Sequence, residues 1–161
     1  MNRLIEAVAS HFDEEGFTFT RLDDGDRLHM GWNSSSGSWP CLVSADEDEH
    51  VIFLHSVHPL KVPAADRVRV AEYLMRVNRI AFFGCFLMDF DTGEIRYETY
   101  LLTHSVGGFD EALRDALAMN VRTMDKYLAG VSRVISCEVT PAEALSEALT
   151  GKRIDRKYQY N

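Results

Sequence analysis

Cysteine is scarce and unpaired in this 161-residue chain: Cys41, Cys85 and Cys137 stand alone, and no C-x-x-C pair occurs. That excludes a disulfide framework or a thiolate metal knuckle and predicts reduced thiols in a cytosol. Proline and glycine are few, four and ten, beside 46% apolar and 26% charged residues, which rules out a collagen-like or globally disordered chain. Long apolar runs are missing; the longest, around residues 80 to 88, is far short of a membrane span. A secretory leader is missing as well, because Glu6 and the run from His11 to Glu15 interrupt the N-terminal apolar residues, so the expected location is cytoplasmic and the Asn33-Ser34-Ser35 sequon is a chance match. Positive charge is in deficit, 17 Lys+Arg against 25 Asp+Glu, a net charge of −8. Phosphate backbones and anionic membranes are repelled by such a balance, so neither nucleic acid nor membrane is expected as a partner.

Catalytic signatures are absent too. There is no H-E-x-x-H, no G-x-G-x-x-G, no P-loop and no G-x-S-x-G. Asp91-Thr92-Gly93 matches the aspartic-protease triplet, but it sits where a hairpin must turn, and Gly at a positive φ with an Asp cap explains it. His50, His55 and His58 are the densest histidines. On an extended strand His55 points away from the other two, which are themselves too far apart to chelate. The acidic runs Asp23-Asp24-Gly25-Asp26 and Asp46-Glu47-Asp48-Glu49 lack calcium-loop spacing and read as solvated turns. The expectation is therefore no catalytic, cofactor-binding or metal-binding residues and no cofactor.

What is present is amphipathic order. Leu4, Ile5, Val8 and Phe12 predict a helix over about Asn2 to Glu15, stopped by Gly16. Two alternating runs around Asp24-Gly25 predict a hairpin in which Phe19 faces Met30 and Phe17 faces Trp32. Ser34 to Ser38 reads as a flexible connection, followed by strands at Trp39–Ser44 and Val51–Val57. A helix from Pro63 to Arg79 is expected on Val70, Leu74 and Val77, widened by Ala71. A second hairpin follows, Phe82–Phe90 with Glu94–Thr103, its register open. After Gly107-Gly108, residues Leu113, Ala116, Leu117, Val121, Met124, Leu128 and Val131 mark a long helix. Thr140-Pro141-Ala142-Glu143 is a capping box opening a short helix that ends near Gly151. Residues 1–150 should form one α+β domain, with a mainly antiparallel sheet and helices packed on one face, in the order α-β-β-β-β-α-β-β-α plus a short C-terminal helix. Residues 151–161 should form a frayed basic tail carrying four positive charges and one negative.

The stretch from Val62-Pro63 through Tyr73-Leu74-Met75-Arg76-Val77-Asn78, then Phe86 through Asp91-Thr92-Gly93-Glu94-Ile95-Arg96-Tyr97, resembles the bacterial YbjN-like family, as does the later helix with Leu113, Leu117 and Tyr127-Leu128. The resemblance covers about Phe17 to Val134. It implies the fold of type III secretion chaperones, an α+β sandwich that is often dimeric, and a role in sensory regulation; it carries no catalytic residues.

The aromatic strand set Phe17, Phe19, Trp32, Trp39, Phe53, Phe82, Phe83, Phe86 and Tyr97 holds more large apolar residues than one covered sheet face needs. Most must be core. The surplus points to an apolar sheet or helix surface that binds a second copy, in a homodimer, or a protein or peptide partner. The alternative is a small-ligand-binding protein or enzyme whose site gathers His55, His104, Asp89 and Arg96. A third possibility, nucleic-acid contact through the arginines of the second helix and the tail, requires a contiguous basic face.

Overall fold

The computed structural model describes residues 2–105 and 108–154. Helix α1 (Arg3–Glu14) starts at Asn2, whose side chain accepts from the amides of Leu4 and Ile5. Strand β1 (Thr20–Leu22) pairs with β2 (Arg27–Ser34), with Thr20 opposite His29 and Leu22 opposite Arg27. This register continues the one expected, but the ladder is shorter. Phe17 and Phe19 lie outside it and pack their rings on Phe12, with centroids 5.4 and 6.0 Å away. The connection is one 3-10 turn, Asp23–Gly25, not a two-residue turn; Asp23 and Gly25 both take positive φ.

The serine-rich segment is not a flexible connection. Ser34 pairs with Gly37, so β2 turns tightly into β3 (Gly37–Asp46), and the hydroxyl of Ser38 donates to Asn33 at 2.7 Å. Pro40 sits in β3 opposite Gly31, beyond the residues that pair with the next strand, where its missing N–H costs no ladder bond. Strand β4 (Val51–Val57) follows, then α2 (Arg67–Asn78), entered through a 3-10 turn, Ala64–Asp66. Strands β5 (Cys85–Met88) and β6 (Ile95–Leu102) form the last hairpin, with Phe86 opposite Tyr97. Helices α3 (Phe109–Ile135) and α4 (Pro141–Thr150) close the fold. The capping box at Thr140–Glu143 forms as expected; at the other expected break, Gly108 has φ +97°, while Gly107 lies outside the described residues.

The six strands make one antiparallel sheet in the order β1-β2-β3-β4-β6-β5. One row of side chains faces the helices: Leu28 and Met30, Trp39, Cys41 and Val43, Ile52 and Leu54, Ile95 and Tyr97, and Phe86. All four helices contribute to the same core on that side, and His11 of α1 bonds Asp110 of α3 at 2.9 Å. On α2 the apolar line of Val70, Leu74 and Val77 is widened by Tyr73, not by Ala71. Tyr73 lies against Gly130 of α3 and donates to the carbonyl of Tyr127 at 3.0 Å. A polar chain crosses the core: the Trp39 indole donates to Ser56, Ser56 donates to Asn120 of α3, and the Asn120 amide donates to the carbonyls of Leu54 and Tyr97.

His58 is buried at the end of β4. Its Nε2 bonds the carbonyl of Leu128 at 3.1 Å and its Nδ1 accepts from the amide of Leu60 at 3.0 Å, which consumes both nitrogens of the neutral ring. Burial pushes this imidazole below the usual histidine value of 6.5, and burial does the same to His55. A depressed folded value means the unfolded chain takes up protons first as acid is added. Stability is therefore full above about pH 6.5 and falls as the pH drops below it. Urea midpoints measured between pH 8 and 5 should decline on the acid side, and His58→Leu should flatten that decline.

Candidate functional site

The sheet's other face carries the surplus that the sequence suggested. Its rows run Leu42, His55, Glu98, Cys85 and Ser44, Phe53, Tyr100 across paired strands, with Val57, Arg96 and Leu87 beside them. None of these side chains belongs to the packed core. Of the eleven large apolar residues left exposed among those described, six lie in the β5–β6 hairpin or just before it: Phe82, Phe83, Leu87, Phe90, Tyr100 and Leu102. That concentration makes the hairpin the most apolar stretch of the described surface.

This region corrects the strand assignment. Phe82 and Phe83 are neither strand nor core; they are 91% and 62% exposed, and β5 begins only at Cys85. Gly84 forces the change. A Cβ there would lie 2.1 Å from the carbonyl oxygen of Glu98, so the backbone crosses over β6 where no side chain fits. The free edge of β5 is capped from α2. Asn78 donates to the carbonyl of Phe86 at 2.9 Å and accepts its amide at 2.7 Å, standing in for one residue of a neighbouring strand. At Phe86 the edge is therefore closed to a further strand, and the face of the hairpin stays open. At the far end, Asp89, not Asp91, caps the turn. Its carboxylate accepts the amides of Asp91 and Thr92 and is held below the usual range by them, while Gly93 takes φ +75°.

Two cavities flank Phe83 and Tyr100. One, of about 430 Å³, is bounded by Phe82, Phe83, Gly84, Cys85, Glu98 and Tyr100. The other, of about 530 Å³, opens between Tyr100 and the alanine-rich start of α3, at Ala112, Ala116 and Met119. Behind the first, Nδ1 of His55 lies 3.4 Å from the Glu98 carboxylate, and the His55 ring stacks on Phe53 with centroids 6.2 Å apart. Burial also pushes the Cys85 thiol above its ordinary value. Neutral imidazole and protonated thiol make this an apolar floor with one carboxylate in it.

The four scattered polar candidates do not converge. His55 and Arg96 share the open face, but the Arg96 guanidinium is bound to Glu94 at 2.6 Å. Asp89 is turned into its own loop at the start of β6. His104 follows the end of β6, on the order of 20 Å along the strand from Arg96, and its ring faces His50 with centroids 5.9 Å apart. Among the described residues no group of three or more His, Cys, Asp or Glu could hold a metal ion. The arginines of α2 are likewise occupied: Arg67 by the carbonyl of Val62, Arg69 by Asp66, and Arg76 by Glu72. The basic tail starts tethered, since Arg133 donates to the carbonyl of Ile154 at 2.8 Å; residues 155–161 lie outside the described residues.

A helix, a four-strand run, a helix, a hairpin and a long helix over one sheet face define the α+β class seen in type III secretion chaperones. A chain of the HopA1–SchA chaperone–effector complex shares it with a TM-score of 0.50 and 14% identity, over 74% of this chain and 88% of that one. The protein belongs to the YbjN family, described as "Putative bacterial sensory transduction regulator", whose model matches residues 4–133. The match takes in α1, ahead of Phe17, and stops before α4. The crystal structure of YbjN from E. coli, "a putative transcription regulator", superposes with a TM-score of 0.61 at 12% identity, covering 80% of this chain and 90% of that one. An uncharacterized protein from Methanothermobacter thermautotrophicus gives 0.54 at 11% identity, covering 81% and 97%. No curated protein matches the sequence. Among the described residues no helix is long and apolar enough to cross a membrane.

Proposed function

We propose that the protein is a cytoplasmic, non-enzymatic binding module of regulatory or chaperone-like kind, which works as a homodimer and docks protein through the open face of the β5–β6 hairpin. One observation carries this: six exposed large apolar side chains gathered on one hairpin and its approach, in a chain whose core is already filled by the opposite face. Covering a side chain such as Phe82 or Leu87 releases roughly 1.5–3 kcal/mol, so a handful provides the drive for association. The family description and the chaperone–effector neighbour support the same role. The charged rim of the −8 chain keeps the apolar face soluble between partners and favours basic ones.

Light scattering tests the dimer. A mass of twice 18.3 kDa is expected for the unaltered chain, falling to 18.3 kDa for Leu87→Asp with unchanged circular dichroism. An 18.3 kDa species at every accessible concentration contradicts the dimer, and a dimer that Leu87→Asp leaves intact contradicts an interface on the hairpin face.

A further inference from the structure

The cavity ahead of β5 has a composition that general apolar docking does not require. Its walls are three exposed rings, Phe82, Phe83 and Tyr100, and its floor is the carboxylate of Glu98. That side chain is only 23% exposed. Among the described residues no guanidinium or ammonium lies within ion-pairing distance of it; its one neighbour of that kind is the His55 imidazole at 3.4 Å. Burial keeps that imidazole toward its neutral form, and Arg96, the nearest arginine along the strand, is taken by Glu94. A half-buried carboxylate with no full counter-charge is costly, and the cost rises when an apolar partner covers it and strips its water.

We infer that this cavity receives an arginine side chain of the protein partner, its guanidinium stacked on the Phe and Tyr rings and forked onto Glu98. The inference rests on the protein-docking role proposed above and adds what the docked segment must contain. Ring faces are negative and attract a cation, and a planar guanidinium both stacks and gives two parallel hydrogen bonds to a carboxylate. Lysine offers only a point charge, with no plane to stack. An acidic ligand meets Glu98 with like charge, and a purely apolar one seals that carboxylate away unpaired. Apolar neighbours of the arginine fit the Ala112, Ala116 and Met119 wall of the adjoining 530 Å³ cavity, which Asp115 and Arg122 also line.

The test is a nuclear magnetic resonance titration of the full chain with the capped tripeptide Leu-Arg-Leu, against the same peptide carrying citrulline, the neutral isostere of arginine. Shifts are expected at residues 82–85 and 98–100, with affinity lower by on the order of tenfold for the citrulline peptide, and lower by a similar factor for the arginine peptide on Glu98→Gln. Equal affinity for the two peptides overturns the inference. So does an unaffected Glu98→Gln, a shift pattern elsewhere on the surface, or no binding at millimolar peptide. Phe83→Ala separates the two levels. If it abolishes binding of both peptides while Glu98→Gln changes neither, the arginine pocket is refuted and protein docking at this face stands. If docking at this face is itself wrong, neither peptide shifts residues 82–102 and Phe83→Ala changes no titration.

Discussion

Asn120→Leu is expected to lower stability by about 3 kcal/mol, a fall in Tm of roughly 6–12 °C for a chain of this size. Asn120 is fully buried on α3, and every polar atom of its side chain is used. Its oxygen accepts from Ser56 at 2.6 Å; its nitrogen donates to the carbonyls of Leu54 and Tyr97 at 2.9 and 3.1 Å and lies 3.2 Å from the Thr99 hydroxyl. Those acceptors come from β4 and β6, so one side chain pins the long helix across two central strands. Leucine has similar volume and greater hydrophobicity, which offsets part of the loss. It leaves the Ser56 hydroxyl without its acceptor and takes a donor from the carbonyls of Leu54 and Tyr97, and an unsatisfied buried group costs about 1–3 kcal/mol. Calorimetry of Asn120→Leu against Asn120→Asp checks this. Both should be destabilised, Asp the more because it brings an unpaired charge to the site. A leucine variant as stable as the parent removes the anchor from the account.

Gly130→Ala should also destabilise, by about 2 kcal/mol net, although helix propensity alone favours alanine by about 1 kcal/mol. A Cβ at position 130 would stand 2.1 Å from the Tyr73 hydroxyl and 2.4 Å from the ring carbon that bears it. Tyr73 is fully buried, its hydroxyl pushed above the usual tyrosine value by the loss of water, and its bond to Tyr127 is lost if it moves. Overpacking of this kind typically costs 1–3 kcal/mol, and the broken hydrogen bond adds about 1, so sterics outweigh propensity. Tyr73→Phe in the Gly130→Ala background removes the closest atom of the clash. Denaturant midpoints should then show the two changes to be less than additive; strict additivity contradicts the close approach.

Much of this architecture was legible because local chemistry and patterning agreed. The α3 line from Leu113 to Val131, the capping box at Thr140, and the β1–β2 register all follow from spacing. Where polar atoms or backbone approach decided the outcome, spacing was silent. Asn120 interrupts an apolar helix face and gains its meaning only from Leu54 on β4 and Tyr97 on β6, far away in sequence. Asn78 reads as the end of a helix, yet it caps a strand edge. The Phe82-Phe83 pair looks like buried strand, and only the approach of Gly84 to Glu98 puts it on the surface. The surplus of apolar residues and the packing of the helices on one face were both expected; which residues stay uncovered depended on the strand register, left open for the second hairpin. Glu98 carried no signal at all, since its surroundings, the His55 imidazole and three rings, are assembled only by the fold.

Amide hydrogen exchange, followed from dilute to concentrated protein, addresses the central claim most directly. Pairing of two copies through the open face of the hairpin predicts that exchange slows with concentration in residues 82–102, while α1 and α4 exchange as before. Slowing confined to α1 or α4, with the β5–β6 hairpin unchanged, would place the contact surface elsewhere and contradict the account.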